Sequence, residues 1–172
     1  MKKLHAVWMV LLMMFVALGV QAQTDKSKRP SPPMTAEGTI GGAKIKIDYS
    51  APSAKGRKML GGIEAYGKVW RTGANEATVF EIDKDITVEG KELKAGKYEL
   101  FTIPGEKEWV IIFQKYAKQW GAYAYNQSND VLRVTVKADK ADPFVETFNI
   151  AVDKNKVVLK WENTQVAFNV KG

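Results

Sequence analysis

AKIKIDY, residues 43–49, sets Ile45, Ile47 and Tyr49 against Lys44, Lys46 and Asp48. An extended chain points successive side chains to opposite faces, so this alternation predicts a strand with one face buried and one in water. Gly41-Gly42 just before it can take the positive φ values of a two-residue hairpin turn, which joins the strand back to TAEGTI. The same period of two recurs downstream. ATVFEI (77–82) alternates around Phe80, and ITVEGKEL carries a Glu89-Gly90 turn between two short strands. KYELFTI (97–103) ends at Pro104-Gly105. EWVIIFQ (108–114) is apolar on both faces and belongs in the middle of a sheet. VLRVTVKA sets Leu132, Val134 and Val136 inward, FVETFNIAV does so with Phe144, Phe148, Ile150 and Val152, and KVVLKW and QVAFNV follow with an Asn163-Thr164 turn between them. No stretch has a helical period. About ten short strands with Gly, Pro, Asn and Asp at the joints predict an all-β domain, a single antiparallel β-sandwich of jelly-roll type, with a closed β-barrel as the alternative.

Ahead of this pattern the chain reads differently. Lys2 and Lys3 precede an apolar run from Ala6 to Val20 and then Gln21-Ala22. That is the form of a signal peptide over residues 1–22, and the run is shorter than the roughly 18 residues a membrane span needs. No Cys follows it to take a lipid, so no stable membrane anchor is expected. QTDKSKRPSPP (23–33) has three prolines and no apolar period and reads as a flexible leader before a β-sandwich domain over 34–172. An exported product, periplasmic or secreted by a Gram-negative bacterium, is the expected localisation.

The chain has no Cys and one His, His5, which lies within the signal peptide. A Ser-His-Asp triad, a Cys-His pair and imidazole or thiolate metal sites are therefore excluded from the mature chain, and no cofactor or metal is expected. The formal charge of +7 falls by two with Lys2 and Lys3, and the rest is scattered, which argues against nucleic acid as a partner.

The longest break in the strand pattern, APSAKGRKMLGGIEAYG (51–67), runs into VWRTGANEAT (69–78). Two readings fit this cluster. In one, Arg71 or Arg57 pairs with Glu76, Gly73 permits a turn that a Cβ would block, Asn75 bonds its own backbone, and Trp70 lids a polar staple tying the loop to the sheet. In the other, Arg57, Lys58 and Arg71 face an anionic group, Asn75 and Glu76 bond a sugar hydroxyl or amine, and Trp70 stacks on the ligand. Arg57, Lys58, Trp70, Arg71, Asn75 and Glu76 are thus the candidate ligand-binding residues. Tyr123 and Tyr125 are read as core rings rather than a stacking platform, and Trp109 and Trp161 as packing.

SAPSAKGRKMLGG, YGKVWRTGANEAT, ITVEGKELKAGKYELFTIPG and WVIIF, in that order after a signal peptide, resemble the bacterial family catalogued as domain of unknown function 2911, over roughly residues 31–137. The resemblance implies a secreted domain and carries over no activity, substrate or catalytic residue. The expected function is a non-catalytic β-sandwich that binds a glycan, an anionic ligand or a cell-envelope protein through residues 51–76. The alternatives are a carboxylate-based glycan hydrolase with Glu76 as acid or base, and a structural or assembly protein.

Overall fold

The computed structural model describes residues 25–172; the signal peptide expected over residues 1–22 lies outside them. Nine strands form one antiparallel sheet: β1 (Pro33–Ile40), β2 (Ala43–Ser50), β3 (Thr78–Ile82), β4 (Ile86–Val88), β5 (Lys91–Leu93), β6 (Gly96–Ile103), β7 (Glu108–Lys115), β8 (Asp130–Asp153) and β9 (Lys156–Lys171). Their order across the sheet is β1-β2-β3-β6-β7-β8-β9-β4-β5, open at both ends, so the closed barrel is set aside.

The sheet folds over on itself through β8. Residues 130–137 of that strand pair with β7, whereas its later part pairs with β9. Between Lys140 and Asn149 the β8–β9 register shifts twice, and Pro143, which has no N–H for a ladder, lies in that stretch. Side chains of the two layers then meet. Tyr49 on β2 meets Phe148 on β8 at a ring separation of 5.8 Å, and Phe80 on β3 and Phe113 on β7 reach Phe168 on β9 at 6.4 and 5.8 Å. This is sheet packed against sheet, as the alternation predicted.

Ile45, Ile47 and Tyr49 are buried in the core while Lys44 and Lys46 stay in water. Gly41 and Gly42 have φ of 56° and 82°, the two positive values that a hairpin turn with the twist of its strands requires, and Ile40 pairs with Ala43 across it. Glu89 and Gly90 repeat this geometry between β4 and β5. On β7, Trp109, Ile111 and Phe113 enter the main core, and Ile112 joins Ala77 and Phe101 in a second cluster on the opposite face.

Two strand-level expectations are corrected. KVVLKW and QVAFNV are not two strands joined by a turn at Asn163-Thr164; they form one continuous strand in which Thr164 pairs with Lys140. Glu162 at φ 52° makes a local irregularity there without ending the strand, and its carboxylate turns out to accept Met59 N at 2.9 Å and Leu60 N at 2.7 Å. The polar run that reads as a turn is thus a strand segment whose carboxylate caps another loop. Phe144 is half exposed instead of inward, because it falls in the stretch where the β8–β9 register is broken.

Candidate functional site

From Trp70 to Thr78 a set of hydrogen bonds pins the buried backbone. Trp70 forms a two-way bridge with Thr102 on β6, N to O at 2.8 Å and O from N at 2.9 Å. Thr78 N donates to Arg71 O, Thr78 Oγ1 to Thr72 O at 2.7 Å, and the Trp70 indole N–H to Gly73 O at 3.0 Å. Buried polar backbone demands such pairing, and here the side chains of the same motif supply it. A Cβ on Gly73 would stand 2.8 Å from Ser50 O, which explains the glycine. Thr72, a β-branched residue at φ 56°, is fully buried and bonds Thr102 Oγ1 at 3.1 Å, so the surroundings hold it in a conformation it would not choose.

Trp70 is therefore no surface stacking group. It is 2 % exposed and stacks on Trp161 at 5.5 Å, with Phe148 at 5.0 Å and Trp109 at 6.1 Å edge-on. Trp109 and Trp161 are core residues, as expected.

The two arginines do not meet Glu76. Arg57 donates from Nε to Ala54 O and from a terminal nitrogen to Ser53 O, both at 2.9 Å, which pins its own loop; Lys58 beside it is exposed. Arg71 is half-buried, and its Nε, shielded from water, has no hydrogen-bond partner among the described residues. Its charge acts on Glu64, whose carboxyl burial pushes above the usual range while Arg71 pulls it back.

Glu76 instead pairs with the leader. Lys26 Nζ lies 3.0 Å from Oε1 and an Arg29 guanidinium nitrogen 2.8 Å from Oε2. Burial pushes this carboxyl up, but bonds from Lys26, its own backbone and Arg29 hold it below the usual value. Asn75, at φ 60°, a conformation asparagine tolerates, donates through its side-chain amide to Ser31 O at 3.2 Å rather than to its own backbone. Segment 116–121 flanks the signature on the other side: Ala77 N donates to Gln119 O, Gly121 N to Asn75 O, and Glu76 bridges Trp120.

Beside Glu76 opens a cleft of about 180 Å³, lined among others by Lys26, Asp48, Glu76, Glu99, Tyr116 and Lys118. Glu99 is 1 % exposed, and its two oxygens accept Gln119 N and Nε2, each at 2.6 Å. Three aromatics on the adjoining segment are exposed, Tyr116, Trp120 and Tyr123, the last at 90 %. This overturns the expectation that Tyr123 is a core ring; Tyr125 does pack on Phe101 at 5.2 Å. Two of the exposed rings face cations, Arg29 at 5.7 Å over Trp120 and Lys97 at 4.9 Å over Tyr116.

Of the six sequence candidates, only Asn75 and Glu76 stand at this end in contact with the leader. Lys26, Arg29, Tyr116, Lys118 and Trp120 were missed, since only tertiary pairing brings a Pro-rich leader and a distant loop together. Among the described residues no three of His, Cys, Asp and Glu stand close enough to hold a metal ion. No curated protein and no solved structure matches the chain. The model of one family does, over residues 31–170, which extends the resemblance through β9: the chain belongs to the family described as Protein of unknown function (DUF2911).

Proposed function

We propose that this is an exported, non-catalytic binding domain whose ligand site is the cleft beside Glu76, and that its ligand carries an amine or other cationic group. The single observation behind this is the lining of that cleft. Asp48 and Glu76 supply carboxylates, Tyr116 an aromatic wall, and the nearby rings already hold cations of the chain itself. Carboxylate plus aromatic face is the pairing that recognises an amine. An anionic ligand finds less support, because Arg57 is occupied by loop carbonyls and Arg71 is half-buried. The hydrolase reading also finds less. A general acid needs a raised pKa, and Glu76 is held ionised by two cations. The signature from Trp70 to Gly73 favours the structural reading for those residues.

The test is a thermal-shift panel of amino sugars, polyamines and neutral glycans against the protein. An amine-bearing compound should raise the unfolding temperature, as any ligand of the native state does. The response should be lost in Tyr116→Ala and Glu76→Gln. If no compound shifts the transition, or the variants respond like the parent, the cleft is not a ligand site.

A further inference from the structure

The leader lies against the signature as a bound peptide lies on a receptor. Lys26 and Arg29 occupy the two oxygens of Glu76, Arg29 also covers the Trp120 ring, Asn75 Nδ2 donates to Ser31 O, and Ala51 N donates to Pro32 O at 2.9 Å. A carboxylate, an aromatic face, a side-chain amide and a backbone donor thus meet successive groups of one basic segment.

A segment whose task is to close the fold would bury apolar side chains. This one buries none between Asp25 and Pro32; Arg29, Ser31 and Pro32 are half-buried and the rest exposed. Its contacts are polar and aromatic, those of recognition rather than of core packing. The two ion pairs are open to water, with side-chain exposures of 57 % and 34 % for Lys26 and Glu76 and 22 % for Arg29. Such solvent-open pairs contribute little each. The leader is kept in place largely by its tether, which raises its local concentration to the order of millimolar.

We propose that Asn75, Glu76 and Trp120 form a receptor for a short basic segment whose Lys and Arg, three residues apart, are brought to one side by a 3-10 turn such as Lys26–Lys28 of the leader, filled in cis by the leader and open to exchange with such a segment on another chain. This rests on the reading of the Glu76 end as the binding end, and names a peptide as a second occupant of it.

The experiment uses the full chain carrying Lys26→Ala and Arg29→Ala, and a fluorescein-labelled peptide TDKSKRPSPP, the sequence of residues 24–33. Fluorescence anisotropy should show saturable binding to this variant at least tenfold tighter than to the parent, whose own leader competes. Binding should weaken as salt is raised, and should vanish when Glu76→Gln or Trp120→Ala is added or when the peptide's arginine is replaced by alanine. An unchanged circular dichroism spectrum and a single cooperative urea transition establish that the double variant is folded. If the folded variant takes up no peptide at millimolar concentration, or binds it equally well with Glu76→Gln, the receptor proposal is wrong. The thermal-shift panel is scored separately, so an amine ligand without peptide binding overturns the peptide receptor and leaves the cleft standing.

Discussion

Glu64 and Glu76 are two carboxylates at either side of Trp70, and burial pushes the pKa of both upward. What separates them is the distance and number of their cations. Arg71 acts on Glu64 only through space, and burial prevails, so the folded pKa lies above the ordinary 4.5. Lys26 and Arg29 touch Glu76, and its folded pKa lies below 4.5. The linkage signs are therefore opposite. The folded state holds the Glu64 proton more tightly than the unfolded chain does, so ionised Glu64 weakens the fold at neutral pH and the penalty is relieved as pH falls through its folded pKa. Glu76 contributes stability above 4.5 that disappears as pH falls through its own folded pKa. Urea midpoints between about pH 3 and pH 7 check this. Glu64→Gln should raise the midpoint at pH 7 and lose the advantage in acid, whereas Glu76→Gln should lower it at pH 7 and approach the parent in acid. Shifts of the same sign in both variants would contradict the assignment.

The segment from Lys58 to Glu64 is a compact turn, closed by Ile63 N on Lys58 O, Glu64 N on Met59 O and Gly61 N on Glu64 O, and capped by the Glu162 carboxylate. Gly62 is there because a Cβ would sit 2.3 Å from Lys58 O, a backbone atom that cannot step aside without breaking the turn. Gly61 has φ 71°, and its missing Cβ makes room for the Tyr66 ring, which is free to move at the surface. Gly62→Ala should therefore open the turn at a cost on the order of 1–3 kcal/mol, and loosen the backbone at the already exposed Arg57 and Lys58 so that trypsin cuts there faster. Native-state digestion followed by mass spectrometry reads the nick, and a variant cut no faster than the parent would show that the turn tolerates the methyl group. The glycines are legible in GRKMLGG as turn formers, but the cap is not, since Glu162 is a hundred residues away and its polar neighbours imitate a turn. The same contrast holds elsewhere. Ile45, Ile47 and Tyr49 declare their burial by period alone, and Gly41-Gly42 by the φ values a hairpin demands. The leader's grip on Glu76 has no local signal, and neither does the exposure of Tyr123, because residue type fixes what a side chain prefers and not which neighbour arrives to cover it.

At the scale of the molecule, the sheet closes its core with one strand, β8, that belongs to both layers. β8 pairs with β7 through its first residues and with β9 through the rest, and β9 ends against β4. The aromatic cluster sits where the layers meet: Trp161 on β9 and Phe148 on β8 pack on Trp70, which is bridged to β6. Neither layer can keep its buried face if the other leaves, and the second cluster of Ala77, Phe101 and Ile112 is too small to stay folded alone. Unfolding should then be one cooperative event rather than two. Native-state hydrogen exchange in low denaturant tests this amide by amide. Protected amides of β2, β6 and β7 should open with the same free energy as those of the β8–β9 hairpin, and the leader and residues 116–125 should exchange well before either. Trp161→Ala removes a ring that is 1 % exposed and shared by both layers, a change that costs about 3–5 kcal/mol. It should lower both sets of opening energies by the same amount. A β8–β9 hairpin that loosens in this variant while β2, β6 and β7 keep the parent's protection would mean that the two layers are separable units, with the folded-over sheet only their point of contact.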